Sequence, residues 1–269
     1  MPTIDTVAAL LAKAERTDNA DEADAYLAKA QHLATLHAID LAALAAAARG
    51  EGRATTPVQR TIRVGEPRRH ANSHLVALFS AIARPNDVLI DVARNSTYVI
   101  AYGLPDDVDT CESIWLASAP RMVESANWWM RSKRWQHDTT VSYQPGRGYV
   151  EVPLTARAAK ATFMIAFIQR VGERLASARS EAIRDADAAS TNAAAANGDG
   201  GAALVLVAKA DQVRSFYRDS SSASGSWRGY SGSYAGADSS SARAGDAAGR
   251  AARLRASKGI SAAGALEAG

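Results

Sequence analysis

The sequence predicts an α+β chain: an N-terminal helical hairpin, then long helices packed on short antiparallel β-hairpins. Three observations predict it. Apolar residues recur at helical spacing over 7–14, 23–37, 75–82 and 163–182. Two pairs of short runs rich in β-branched and aromatic residues are each separated by turn-forming residues. Finally, 47% hydrophobic and 22% charged residues in 269 fit one or two folded domains, not a disordered chain or a disulfide scaffold. Sixty of those residues are alanine, so the strongly apolar fraction available to fill a core is nearer a quarter.

The first helix carries Val7, Leu10, Leu11 and Ala14, with Asp5 placed to favour its first turn. Thr17-Asp18-Asn19 breaks the pattern, and Asn19 with Glu22 resembles a capping box. Ala23, Tyr26, Leu27, Ala30, Leu33, Ala34 and His37 make the stripe of a second helix. Ile39-Asp40-Leu41 restarts a short Ala-rich stretch that ends near Gly50. The hairpin domain therefore spans 1–49, and it must bury its stripes against something.

Residues 50–71 read as a linker, because Gly, Thr, Pro and Arg punctuate it throughout. An α+β domain is expected over 72–218. Leu75, Leu78, Phe79 and Ile82 make a helical stripe that Pro85 terminates. DVLIDV (87–92) and TYVIAY (97–102) then flank Arg94-Asn95-Ser96 as a β-hairpin. Pro105, Asp106 and Asp107 suit the start of a helix that Pro120 should kink or split. TTVSY and YVEV flank Gln144-Pro145-Gly146-Arg147-Gly148 as a second hairpin. A long helix follows from about Thr155, with Met164, Ile168, Val171, Leu175, Ala178 and Ala182 in one stripe.

Residues 191–202 read as a Gly/Ala/Asn linker, and ALVLV (203–207) as a short buried strand before a helix over 211–217. Residues 219–237 are rich in Ser and Gly and are expected to be flexible, since such residues offer little apolar area against chain entropy. A C-terminal helix and tail complete the chain over 238–269, with Gly245 and Gly249 on one helix face where another helix can approach closely.

Net charge is +3, but it is unevenly spread. The first 50 residues carry an acidic excess and the second half a basic one, which suits an anionic partner or simply a solvated surface. Cys111 is the lone cysteine, so an intramolecular disulfide and a cysteine-based zinc cluster are excluded. A reducing cytoplasm is the expected location. The N-terminus MPTIDTVAALLAKAER lacks the basic start and apolar run of a signal peptide, and no apolar stretch has membrane-spanning length.

The run VAALLAKAERTDNADEADAYLAKAQHLATLHAIDLAAL resembles the bacterial and phage family called Domain of Unknown Function 2786. The resemblance rests on Leu11, Ala12, Ala14, Glu15, Thr17, Asn19, Glu22, Ala23, Lys29, Ala30, Gln31, Leu33, Ile39 and Asp40, over roughly residues 3–41. The remainder is similar to the larger uncharacterised domain that often follows that segment in actinobacterial and phage proteins. The resemblance implies a fold and a set of relatives; it implies no activity.

One segment stands out chemically. Asn127-Trp-Trp-Met-Arg-Ser-Lys-Arg-Trp-Gln-His137 interleaves Trp128, Trp129 and Trp135 with Arg131, Lys133 and Arg134, and Tyr143, Arg147 and Tyr149 follow. Aromatic faces stack on bases while guanidinium and ammonium groups meet phosphates, a combination suited to single-stranded nucleic acid. The alternative is a helix end whose tryptophans pack in the core. His70 and His74 stand four apart, a spacing that can bind a metal, but Ala71 replaces the Glu that a hydrolytic zinc site wants there. Asp106, Asp107, Asp109 and Glu112 could bind a cation or could be a solvated helix start. No nucleophile elbow, phosphate-binding loop or dinucleotide fingerprint occurs, and no cofactor is expected.

The expected function is a non-catalytic binding or adaptor protein of bacterial or phage origin, touching nucleic acid through the 128–149 region. The alternatives are a protein-binding module that docks a host or phage protein through its N-terminal hairpin, and a metal-dependent hydrolase using His70 and His74.

Overall fold

The computed structural model describes residues 56–197 and 202–252, together with Thr6, Val7, Ala9, Leu10, Lys13, Thr17, Glu22, Ala25, Tyr26, 28–36 and Ala38. Side-chain burial is described to residue 188 and again from 204.

Three strands form one antiparallel sheet in the order β1-β3-β2: β1 (Val58–Arg63), β2 (Leu89–Val92) and β3 (Tyr98–Gly103). Val58 pairs with Gly103, Leu89 with Tyr102 and Val92 with Val99. The predicted β2–β3 turn forms. Ser96 takes a left-handed φ of 55°, and the Asn95 carboxamide oxygen accepts from the Thr97 amide (3.2 Å) and hydroxyl (2.8 Å). A separate hairpin pairs β4 (Thr139–Gln144) with β5 (Gly148–Pro153). The helices are α1 (Asn72–Ala83), α2 (Pro105–Ser132), α3 (Ala156–Asn197), α4 (Ala202–Ser220) and α5 (Ser240–Arg250). Helices with short antiparallel strand pairs are the α+β class that the sequence patterns predict.

The core lies where α1 crosses α2 and α3. Leu75, Leu78, Phe79 and Ile82 of α1 are buried against Cys111, Trp115 and Met122 of α2 and Phe167, Val171 and Leu175 of α3. The Trp115 indole N–H donates to the Leu75 carbonyl at 3.1 Å, so the largest side chain of the crossing also leaves no orphaned donor. Burial holds the Cys111 thiol far above its ordinary titration range.

Four sequence expectations are corrected. Residues 58–63, assigned to the 50–71 linker, are a strand of the sheet. Ile62 and Val64 are buried while Thr61 and Arg63 face out. The pairing with β3 satisfies the backbone of a segment whose arginines and flanking Gly and Pro mimic a loop. Pro120 does not split α2, because Ala117, Ser118, Ala119 and Met122 around it are buried and hold the helix through the missing N–H. The helix α3 runs through 191–197, which the Ala/Asn composition suggested was linker. Finally, ALVLV is the first part of α4. Leu206 and Val213 are buried whereas Leu204 and Val207 are exposed, the spacing of a helix face and not of a strand.

Buried ion pairs fasten α4 to the rest. Lys209, with 2% of its side chain exposed, lies 2.8 Å from Asp107 and 3.5 Å from Asp87. Arg179 of α3 holds Asp87 through two contacts of 2.9 Å. Burial pushes the Asp107 carboxyl up, against the opposing pull of Lys209. About two turns further on, at the end of α4, Tyr217 and Ser221 donate to Asp91 at 2.6 and 2.7 Å, and Tyr102 donates to the same carboxylate at 2.8 Å. Burial and that bond push the Tyr102 phenol up to about 12.

The described N-terminal residues pack on this body. Val7 and Ala30 belong to the core cluster, and the Gln31 amide donates to the Asn86 carboxamide at 3.1 Å. Lys13 and Glu22, on either side of the predicted break, are helical and Thr17 is not, its hydroxyl donating to Glu22. Asp18, Asn19, Leu27, His37 and the 39–49 stretch lie outside the described residues, as does the tail from 253.

The Ser/Gly-rich stretch begins later than expected, because Asp219 and Ser220 complete α4. From 221 to 237 it forms neither helix nor strand. It crosses α1 and α3: the Tyr230 ring sits 4.6 Å from the His74 ring, and the Ala235 amide donates to the Thr162 hydroxyl at 2.7 Å. Beyond it, α5 packs against α3 as its glycines predict. A Cβ on Gly245 would stand 2.1 Å from the Phe163 carbonyl oxygen, and one on Gly249 would stand 2.8 Å from that of Phe167.

Candidate nucleic-acid interface

The aromatic and basic residues of 128–149 lie at the end of α2, in the turn after it, and on the β4–β5 hairpin. On α2, Met122, Ala126 and Trp129 face inward, while Arg121, Glu124, Trp128 and Arg131 are exposed at helical spacing. Adjacent tryptophans therefore have opposite fates. Trp129 is 5% exposed and Trp128 is 62% exposed.

A hydrogen-bonded chain makes the support rigid. The Trp129 indole donates to the Ser241 hydroxyl at 3.2 Å, and Ser241 donates to Asp138 at 2.7 Å. Asp138 also accepts the Ser240 and Ser241 amides, at 2.9 and 3.0 Å, at the N-terminus of α5. Burial raises the Asp138 carboxyl, but these bonds more than offset it and hold it below the usual carboxylate range. The Leu154 amide donates to the Asp138 carbonyl at 2.9 Å, which fixes the root of the β4–β5 hairpin.

The helix ends at Ser132, and Lys133 takes the left-handed conformation with φ of 57°. A 3₁₀ turn over Arg134–His137 follows. Trp135 is half-buried, its indole donating to the Met130 carbonyl at 3.2 Å, and it packs with Leu154, Ala158 and Ala235. Arg131, Lys133 and Arg134 are exposed and form no ion pair with the described residues.

On the hairpin, alternation sets Val141 and Tyr143 of β4 and Tyr149 of β5 on the outward face, 62%, 63% and 79% exposed. Tyr143 is directly opposite Tyr149, and the rings meet edge to face at 5.4 Å. Arg147 is exposed at the tip, between Gly146 and Gly148, whose φ values of 81° and 72° the turn requires.

Of the nine residues singled out in the sequence, seven are thus outside: Trp128, Arg131, Lys133, Arg134, Tyr143, Arg147 and Tyr149. Trp129 is corrected to a core residue, and Trp135 to a half-buried clamp. Sequence reasoning passed over Val141, although the period of two in TTVSY places it on the same face as Tyr143.

The histidine pair is not brought together. His70 is exposed, whereas His74 is 3% exposed in the first turn of α1 and neither of its ring nitrogens has a hydrogen-bond partner. Burial, with a smaller contribution from Lys160, pushes His74 down to about 4. The acidic group is neutralised from within: Asp107 by Lys209, Asp109 and Glu112 by Arg60. Among the described residues no three of His, Cys, Asp and Glu gather as a metal-holding group, and no helix is long and apolar enough to cross a membrane.

The class defined by these features is an α+β protein presenting exposed aromatic and basic side chains on a braced helix end and hairpin. Residues 3–41 match the model of the family described as protein of unknown function (DUF2786), the segment whose residues carry the resemblance. No curated protein and no solved structure matches the chain.

Proposed function

We propose that the protein is a non-catalytic binding protein of a bacterial or phage-infected cytoplasm that holds single-stranded nucleic acid on its 128–149 region. The observation that carries this reading is the exposure of Trp128, Tyr143 and Tyr149 beside four exposed cations, Arg131, Lys133, Arg134 and Arg147, that form no ion pair with the described residues. Exposing rings of this size to water is unfavourable unless a partner covers them. Bases supply flat apolar faces for the rings, and phosphates supply the missing counter-charges.

Fluorescence titration of the protein with a short oligonucleotide at two salt concentrations tests it. Binding should weaken as salt rises, because each phosphate contact releases counterions. Absence of binding at low salt by well-folded protein refutes it. The reading in which the N-terminal segment docks a partner protein is less well supported, since Val7 and Ala30 are already covered by the protein's own core.

A further inference from the structure

Away from the 128–149 region, α1 and α3 leave a cleft of about 650 Å³ between them, within the range of small-molecule sites. Its origin is legible in the residues at the crossing. Ala77 and Ala81 of α1 face Gly172 and Ala176 of α3, and a Cβ on Gly172 would already touch that of Ala81 at 3.4 Å. Small side chains let the helices approach, and no large one fills the trough above them. The Ser/Gly-rich segment sets Trp227 on its wall, 37% exposed.

Two cations, Arg84 and Arg179, and two anions, Asp87 and Glu173, line this cleft, but they do not all pair with one another. Arg179 is engaged by Asp87 through both carboxylate oxygens at 2.9 Å, and Glu173 is engaged by Arg170 at 3.2 Å. Arg84, at the C-terminal end of α1, is exposed and forms no ion pair with the described residues. One cation without an ion-pair partner among the described residues therefore borders a largely apolar trough that the Trp227 indole also lines. A guanidinium is a planar fork suited to carboxylate or phosphate oxygens, and an indole is suited to a flat ring.

We infer that the cleft between α1 and α3 binds a small aromatic anion, its ring against Trp227 and its carboxylate or phosphate on Arg84. The site is independent of the nucleic-acid reading, because it shares no residue with 128–149.

Calorimetric titration of the full chain tests it, with naphthoate as the carboxylate probe, adenosine monophosphate as the phosphate ester and neutral naphthyl alcohol as the control. At least one anionic probe should bind, and the neutral alcohol should bind more weakly. Trp227→Ala and Arg84→Ala should each weaken that binding by roughly tenfold or more, while Arg84→Lys keeps part of it. Both positions are solvent-accessible, so thermal melts should stay close to the parent's and exclude misfolding. Tyr149→Ala should leave probe binding unchanged, and Arg84→Ala should leave oligonucleotide binding unchanged, so either reading can fail alone. Binding of naphthoate only identifies a carboxylate ligand, and binding of adenosine monophosphate only identifies a phosphate ester. Failure of both anions to bind at millimolar concentration overturns the inference, as does equal binding by the two alanine variants and the parent.

Discussion

Trp128 and Trp129 offer an internal control, since they are neighbours of one residue type with opposite environments. Trp129→Ala removes a side chain that is 5% exposed and packed in the main core. Truncating a buried tryptophan costs roughly 3–5 kcal/mol in transfer and cavity terms. The variant also strips the Ser241 hydroxyl of its indole donor, although Ser241 keeps its bond to Asp138 at 2.7 Å. For a chain of this size the cavity cost corresponds to a melting-temperature drop of roughly 6–20 °C. Trp128→Ala removes a ring that is 62% exposed, so its stability change should stay within about 0.5 kcal/mol. Its effect belongs in binding, as a loss of roughly 1–3 kcal/mol of affinity for a single-stranded oligonucleotide. Paired thermal melts and fluorescence titrations measure both quantities on the same samples. Equal melting of Trp129→Ala and the parent would refute the core assignment. Unchanged affinity in Trp128→Ala would remove that ring from the interface.

Gly245→Ala should destabilise by roughly 1–3 kcal/mol or more, because its Cβ would lie 2.1 Å from backbone of α3; Gly236→Ala, with nothing within 4 Å, should be near neutral in the same denaturant titration. Lys209→Met should cost roughly 3–5 kcal/mol by leaving Asp107 buried without its cation, and adding Asp107→Asn should recover much of that in urea unfolding. The unfolded chain protonates His74 near its ordinary 6.5 and the folded chain only near 4. The neutral form is therefore favoured by folding, and stability should fall as pH drops from about 6.5 to about 4. His74→Gln should flatten that part of the pH profile relative to the parent. Superimposed profiles of the two proteins would show that His74 is accessible to protons when folded.

Much of the architecture was legible because it rests on local rules. The stripe from Leu75 to Ile82, the two hairpins with their turn residues, and the helical run from Phe163 to Ala182 are period and turn signals that any packing partner would read the same way. Gly245 and Gly249 likewise announced a close approach before the carbonyls of Phe163 and Phe167 were known to be what approaches. The failures have one cause. Whether VQRTIR pairs as β1, whether ALVLV is a strand or the start of α4, and whether Pro120 breaks α2 are decided by contacts far along the chain, which override modest local propensities.

The aromatic and basic composition of 128–149 is a property of the sequence alone, as are the single cysteine and the DUF2786 segment. Only the tertiary structure decided which of those aromatic residues is covered. A helix turns about 100° per residue, so Trp128 and Trp129 point to different sides, and the side that becomes interior is the one met by the core and by Ser241, more than a hundred residues away. The sequence contains both tryptophans equally; the fold turns one into packing and leaves the other free to meet a partner.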